Sequence, residues 1–200
     1  TDIAIFTDGD IKHTAVIPLA GQMVTKDIQI GLRTSFEAAE DIKQKYGSLI
    51  NEENDTGVNI SVPSISDKPA SEVNKPILTH MITCRVDEIF QKIEEEISSS
   101  GWVSKIRAGI VFTGGGCKLN GLDIYAENKL LMPTRIGSPK EITGIQNLSG
   151  KTRYATAVGL LLYKDEKLNE MPHRQKSDNA FLRYLEVVWK KFSVYFQREL

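Results

Sequence analysis

Cysteine is scarce in this chain. Its 200 residues include only Cys84 and Cys117, which form neither a CxxC pair nor a Cys/His set with zinc-ligand spacing. Secreted proteins held together by disulfides carry dense, paired cysteines, and structural zinc sites need such pairs of ligands. The sequence therefore indicates neither a disulfide framework nor a zinc site, and we expect a reduced, cytoplasmic protein.

Two further absences concern charge and hydropathy. The 25 Lys and Arg residues nearly balance the 26 Asp and Glu residues, so the net charge of −1 provides no basic field for nucleic acid. The sequence shows no signal peptide and no apolar run of about 18 residues, the length needed to span a membrane. With 40% hydrophobic and 26% charged residues, the composition is that of a globular protein of about one domain.

The first half of the sequence predicts a hairpin, two helices and a small irregular module. Residues 1–20 alternate like two strands around a turn at Asp8, Gly9 and Asp10. The apolar period then becomes helical from Gly21 to Gly47. Residues 48–75 contain many turn residues and one plausible strand at 58–62.

A long helix is predicted next. Pro76 suits the first turn of a helix, and an apolar stripe continues from there to Ser98. We assign this stripe to Ile77, Met81, Cys84, Ile89, Ile93 and Ile97.

The second half alternates strands and helices. Residues 108–113 are apolar without alternation, which is typical of a strand buried on both faces. A helix to Leu131, a short strand at 134–136 and a small-residue helix at 154–163 follow. This alternation predicts an α/β core with a crossover connection.

The glycines that follow the predicted strand are the first candidate site. Gly114, Gly115 and Gly116 lack Cβ atoms, so a flat ligand or a phosphate can approach their backbone closely. They match neither a Walker A loop nor a GxGxxG fingerprint, because Cys117 and Lys118 come next. A tight strand-to-helix turn remains an equally good interpretation.

Glu40 and Lys43 are the second candidate pair. They stand three residues apart on one predicted helix and therefore share a face. The lysine stem and the carboxylate could lie along a purine and its ribose, but an exposed ion pair is the simpler interpretation. The three histidines, His13, His80 and His173, lie on different elements and form no catalytic set.

The last twenty residues are strongly amphipathic. A polar linker, residues 164–179, precedes a helical pattern over 181–200 that carries Arg183 and Lys190 on its polar side. One arc holds Phe181, Leu182, Leu185, Val188, Trp189, Phe192, Tyr195 and Phe196. This pattern favours a helix lying in a membrane interface, while a helix docked on the domain or in a partner's groove remains the alternative.

The order of these features resembles the C-terminal half of the FtsA family, the bacterial cell-division branch of the actin/Hsp70/hexokinase ATPase superfamily. The resemblance covers nearly all of the chain except 48–75 and the linker. The motifs that carry it include DIAIF, AGIVFTGGG and YATAVGLLLY. In full they are residues 2–6, 13–18, 24–28, 31–33, 39–47, 85–90, 108–116, 135–137 and 154–163.

The resemblance implies a fold and a domain organisation. It implies an α/β, actin-like (ribonuclease H-like) second domain with a small inserted α+β subdomain, followed by an amphipathic helix. The larger, sheet-containing subdomain would comprise residues 1–32 and 101–164, and the smaller one 33–100. Residues 165–180 would be the linker and 181–200 the membrane-targeting helix.

The resemblance also implies a nucleotide site. Gly114, Gly115 and Gly116 match the family's adenosine motif, and Glu40 and Lys43 match its adenine- and ribose-contacting helix. ATP, with Mg²⁺ in the intact protein, is the implied cofactor. The family's phosphate loops and its metal-binding aspartate do not occur in this sequence. We therefore expect weak or no ATP binding and no hydrolysis by this chain. For the intact protein, the resemblance implies a weak ATPase activity.

The implied partners are proteins and a membrane. Arg85 and Glu88 match the positions that bind the C-terminal peptide of FtsZ, the tubulin-like ring protein. Self-association into actin-like filaments, contact with other division proteins and a place on the inner face of the cytoplasmic membrane at the division site are also implied. Two alternatives stay open, a small-molecule kinase of the same superfamily and a pilus-assembly or rod-shape actin relative.

Overall fold

The computed structural model describes residues 1–52, 55, 57–65, 69–142 and 151–170, with the side chains of the last range as far as Tyr163. The chain divides into two compact units, Thr1–Leu160 and Leu161–Leu200. The first unit contains both candidate sites described below. In the second, the structure describes the C-terminal half of one helix.

The chain begins with the predicted hairpin. Strand β1 (Asp2–Thr7) pairs antiparallel with β2 (Asp10–Val16), and Ile5 points into the core. Asp8 and Gly9 both have positive φ, 55° and 86°, as a tight two-residue hairpin turn requires.

Two short helices follow, as the sequence predicts. Helix α1 spans Gly21–Leu32 and α2 spans Phe36–Tyr46. Ser35 caps α2, because its hydroxyl accepts a hydrogen bond of 3.1 Å from the backbone N–H of Ala38. The two helices contribute Val24, Ile28, Ala39 and Ile42 to the core.

The irregular module contains a second antiparallel hairpin. Strand β3 (Asn59–Val62) confirms the predicted strand, and its partner β4 (Ser71–Asn74) is not evident from the sequence. The module is joined to the next helix by an ion pair of 2.6 Å between Lys75 Nζ and the buried Asp55.

Helix α3 (Lys75–Ser99) forms where predicted, but the first half of its predicted apolar stripe is wrong. Ile77 is 54% exposed and Cys84 is exposed, whereas Leu78 and Ile82 are fully buried. Both sets have helical spacing, so the sequence pattern is ambiguous there and packing selects the other face. From Ile89 onward the predicted stripe is buried as expected: Ile89, Ile93 and Ile97.

A parallel βαβ unit confirms the predicted crossover. Strand β5 (Ile110–Phe112) pairs in parallel with β6 (Thr134–Ile136), and α4 (Leu122–Leu130) connects them. The expectation that this strand is buried on both faces is wrong, since Val111 is 48% exposed. In the described part of the chain β5 pairs with β6 alone, and only its Ile110 and Phe112 pack against the core.

Helix α5 (Ala155–Glu170) confirms the predicted small-residue helix and extends it. The first residues of the predicted linker therefore continue the helix, because no Gly or Pro occurs between Lys164 and Glu170. None of the helices in the described ranges is long and apolar enough to cross a membrane. The predicted amphipathic helix 181–200 lies outside the described residues.

Candidate functional site

The first wall of the candidate site is the turn after β5. Gly114 has a φ of +96°, a conformation that side-chain-bearing residues rarely adopt. The turn is held by Thr152, which is distant in sequence but in direct contact. Its backbone C=O accepts from Gly114 N–H at 3.2 Å, and its hydroxyl donates to the Gly114 C=O at 2.7 Å. Thr152 is buried, and sequence reasoning did not identify it.

The next two glycines have a different explanation. Gly115 and Gly116 begin a short 3₁₀ helix (Gly115–Lys118) and do not have positive φ. A Cβ added at Gly116 would meet none of the described residues within 4 Å, and one at Gly115 would make only an ordinary contact with Arg153. Within the described residues, neither backbone conformation nor packing therefore requires glycine at these positions. Glycine at these positions leaves room for a ligand to approach the backbone closely.

The opposite wall is the predicted pair on α2. Lys43 Nζ donates to Glu40 Oε2 at 2.7 Å, to Thr25 Oγ1 at 2.7 Å and to the C=O of Gly21 at 3.2 Å. These three acceptors match the three N–H groups of an ammonium. The Lys43 side chain is only 14% exposed, so the pair is not the exposed surface pair of the simpler interpretation. In this arrangement Lys43 presents its methylene stem, rather than a free donor, to a ligand.

Glu40 is held as a carboxylate. Its Oε2 accepts from Thr25 at 2.5 Å as well as from Lys43, and its Oε1 accepts from Gln44 Nε2 at 2.9 Å. Partial burial acts to raise the pKa of Glu40, but the hydrogen bonds from Lys43, Thr25 and Gln44 outweigh it and lower the pKa below the ordinary value of 4.5. Spare lone pairs on Oε1 remain available to accept from ribose-like hydroxyls.

The two walls enclose one cleft of about 670 Å³. It brings together Glu40, Lys43, Gly115 and Gly116, whereas Gly114 shapes the turn without lining the cleft. The remaining lining residues are Gly21, Gln22, Phe36, Gln44, Lys118, Leu119 and Arg153. Among the described residues, the lining holds three cations and one carboxylate, which suits a flat ligand that carries negative charge.

A second candidate site lies between α1 and α3. Arg85 donates from Nε to Asp27 Oδ2 at 2.5 Å and from Nη2 to Asp27 Oδ1 at 2.9 Å, and its Nη1 pairs with Glu88. The hydrogen bonds and charge of Asp27 raise the pKa of Arg85 above its ordinary value, against the opposing effect of burial. The structure therefore brings the two predicted residues together, and adds Asp27, which sequence reasoning missed.

The structure offers no nucleophile–base pair to this cleft within the described ranges. Burial raises the pKa of the Cys117 thiol to about 11, which keeps it protonated at neutral pH. His13 Nε2 lies 2.8 Å from Glu96 Oε1, and His80 lies beside Cys84, in both cases away from the cleft lining. His173 lies outside the described residues. No cluster of His, Cys, Asp or Glu in those ranges could hold a metal ion.

Solved structures share the fold. MreB5 of Spiroplasma citri bound to ADP aligns with a TM-score of 0.67 at 21% identity, covering 85% of this chain and 52% of that one. A MamK double helical filament aligns with a TM-score of 0.57 at 16% identity, over 86% and 51% of the two chains. These similarities confirm the expected α/β, actin-like fold.

Sequence relatives point to one family. A family model described as "Cell division protein FtsA" matches residues 1–159. Curated FtsA proteins of Pseudomonas aeruginosa (42% identical over 85% of this chain), Neisseria meningitidis (38% over 80%) and Escherichia coli K12 (35% over 84%) are similar to it. The chain covers 41%, 39% and 42% of these relatives, less than half of their length. The chain belongs to the FtsA family of actin-like cell-division proteins.

Proposed function

We propose that the cleft of this chain is part of a nucleotide site in a cell-division scaffold that tethers FtsZ filaments to the cytoplasmic membrane. The observation that carries the proposal is the cleft itself. Gly115 and Gly116 leave the backbone of the turn without side chains, although neither conformation nor packing within the described residues requires glycine there. The turn faces the partly buried Lys43–Glu40 pair.

The cleft residues fit a nucleotide such as ATP. The methylene stem of Lys43 and the backbone of Gly115 and Gly116 leave a slot for a flat base, and Glu40 can accept hydrogen bonds from ribose hydroxyls. Lys118 and Arg153 place positive charge at the same cleft, where it can attract phosphates. A bound ATP, with Mg²⁺ in the intact protein, would supply the switch that controls head-to-tail self-association into filaments. The solved MreB5 structures bound to ADP and AMPPNP support a nucleotide on this fold.

The proposed partner surface is centred on Arg85 and Glu88. An acidic C-terminal peptide of FtsZ would contact the Arg85 guanidinium through charge-assisted hydrogen bonds. Arg85 lies on the long helix α3, whose buried face fixes the height and direction of the side chain. Other division proteins would join the same filament.

The proposed membrane contact uses residues 181–200. The apolar arc that contains Trp189 and Phe192 would lie in the headgroup region. The predicted linker 165–180, whose residues as far as Glu170 continue α5, would connect it to the actin-like domain. We assign that domain to a larger subdomain, 1–32 and 101–164, with a smaller one, 33–100, inserted. The protein would then sit peripherally on the inner face of the membrane at the division site.

Titration of a labelled peptide with the sequence of the FtsZ C-terminal tail tests the proposal. Arg85→Ala should weaken binding by about 1.5–3 kcal/mol, the range for a hydrogen bond to a charged group. Arg107→Ala, which removes an exposed arginine elsewhere, is the matched control and should leave affinity unchanged. No affinity in the wild-type chain, or equal loss in the two variants, would contradict the partner assignment.

Membership in the FtsA family favours this proposal over a small-molecule kinase. A kinase would transfer phosphate from ATP to a small acceptor and would not need an FtsZ-binding surface. The same peptide titration separates the proposal from a rod-shape or pilus-assembly relative, because only the proposed scaffold is expected to bind the FtsZ tail.

A further inference from the structure

The guanidinium of Arg85 is already paired with carboxylates of its own chain. We propose that Asp27 is a built-in competitor, which occupies Arg85 and lowers the affinity of this surface for an acidic peptide. The inference rests on the proposed peptide site and adds its regulation.

The geometry shows why the two carboxylates compete. Asp27 takes the edge of the guanidinium formed by Nε and Nη2, with two roughly parallel hydrogen bonds of 2.5 and 2.9 Å. This fork-to-fork pairing is the one that a peptide carboxylate would also prefer. Because Glu88 pairs with Nη1, three of the five N–H groups are in use. An arriving carboxylate that seeks the same edge must displace Asp27.

The pair is placed where such an exchange can occur. Asp27 and Arg85 are 29% and 20% exposed, so water and a peptide can reach them without unfolding of the domain. Helix α1 does not depend on this contact, because its Val24 and Ile28 are buried in the core. Releasing Asp27 therefore costs an ion pair but leaves the helix packed.

Exchange of one carboxylate for another yields less net free energy than pairing with an unoccupied guanidinium. A lone peptide would lose the Asp27 pair as it gains its own, and so would bind more weakly and more reversibly than it would without Asp27. A filament that presents many peptide tails would still bind to many copies of this surface. Once one tail is bound, the high effective concentration of the others raises the overall avidity. Asp27 would thus favour the filament over the free partner.

A variant that removes only the competing charge tests this directly. Asp27→Asn keeps the size of the side chain and leaves Arg85 free for the peptide. Asp123→Asn, on the exposed face of α4, makes the same change in net charge elsewhere and is the matched control. Binding of the labelled FtsZ-tail peptide to the full chain would be measured at fixed ionic strength, together with a second peptide whose Asp and Glu are replaced by Asn and Gln. Circular dichroism and thermal melting would check the fold of Asp27→Asn.

We expect Asp27→Asn to bind the acidic peptide about tenfold more tightly than the wild type, a difference of about 1.4 kcal/mol. Asp123→Asn should bind like the wild type, and the neutral peptide should show no gain. If Arg85→Ala weakens binding while a folded Asp27→Asn binds no better than the wild type, Asp27 does not compete with the peptide, although the peptide site at Arg85 is supported. If neither the wild type nor Asp27→Asn binds, or if Arg85→Ala has no effect, both ideas fail.

Discussion

Thr25, fully buried on α1, donates a hydrogen bond of 2.5 Å to Glu40 Oε2 on α2. The same hydroxyl accepts from Lys43 at 2.7 Å, so one oxygen joins both members of the Glu40–Lys43 pair. The position of the pair is therefore set by contact between two helices and not by α2 alone. Thr25 is a positioning residue of the proposed nucleotide site.

Replacing Thr25 with Val should lower both the stability of the domain and the nucleotide affinity of the cleft. The near-isosteric change removes the hydroxyl and leaves two charged groups without one partner, so we expect a loss of about 1–3 kcal/mol in the free energy of unfolding. Nucleotide affinity should fall as well, because Glu40 and Lys43 lose their alignment. Thr25→Ser keeps the hydroxyl and is the control. Urea unfolding of the chain would measure the first effect, and fluorescent-nucleotide binding to the intact protein would measure the second. Equal stability and equal affinity of the two variants would show that the Thr25 hydroxyl has no role.

The acid stability of the domain should depend on Glu40. Its pKa is lowered in the folded state below the ordinary value of 4.5, so the stabilisation is fully present above that value and is lost as pH falls through the folded pKa. We expect the free energy of unfolding to fall more steeply with acidification below about pH 5 in the wild type than in Glu40→Gln. Denaturant titrations over this range would show the difference. Parallel pH profiles would mean that the hydrogen bonds of Glu40 do not favour its charged form.

Gly114 should be required for folding rather than for ligand contact. An Ala at a φ of +96° is strained, and the cost should be about 1 kcal/mol or more in the free energy of unfolding. Gly116→Ala, whose new methyl group meets no atom of the described part of the chain, should leave that free energy nearly unchanged. Equilibrium urea unfolding of the two variants makes the comparison. Equal destabilisation would contradict the distinction between the two glycines.

The amphipathic segment gives a prediction that depends on the sequence alone. Trp189→Glu with Phe192→Glu should remove flotation with anionic liposomes, since each buried aromatic contributes about 1.5–3 kcal/mol of transfer free energy. Ser193→Glu with Gln197→Glu adds the same charge on the polar side and is the control. Loss of flotation in the control as well would point to charge rather than to an apolar face, and unchanged flotation in the first variant would exclude the membrane helix.

Local sequence signals were sufficient for much of the fold. The turn at Asp8 and Gly9 and the spacing of Glu40 and Lys43 are short-range patterns, and each corresponds to the structure. The first half of α3 shows the limit of such patterns, because two apolar stripes of equal spacing were available. Strand β4 was also missed, since Ser71–Asn74 is polar and forms a strand only by pairing with β3.

The residues that complete the two sites could not be predicted in this way. Thr25, Asp27 and Thr152 lie 15, 58 and 38 residues from the groups they bind. Their side chains acquire a role only through the packing of α1 on α2 and α3, and through the return of the chain to the glycine turn. Buried or partly buried threonine and aspartate carry no periodic signal of their own.

In the proposed function, Gly115 and Gly116 lack side chains because a nucleotide lies against them. Titration of fluorescent ADP into the intact protein tests this most directly, with Gly116→Ala compared to the wild type. Gly159→Ala, the same change at an exposed position of α5 with none of the described residues within 4 Å, is the control. We expect Gly116→Ala to lose about 1–3 kcal/mol of binding free energy, the cost of overfilling a packed site, while Gly159→Ala binds like the wild type. Equal affinity of all three proteins for ADP would contradict a nucleotide lying against Gly116.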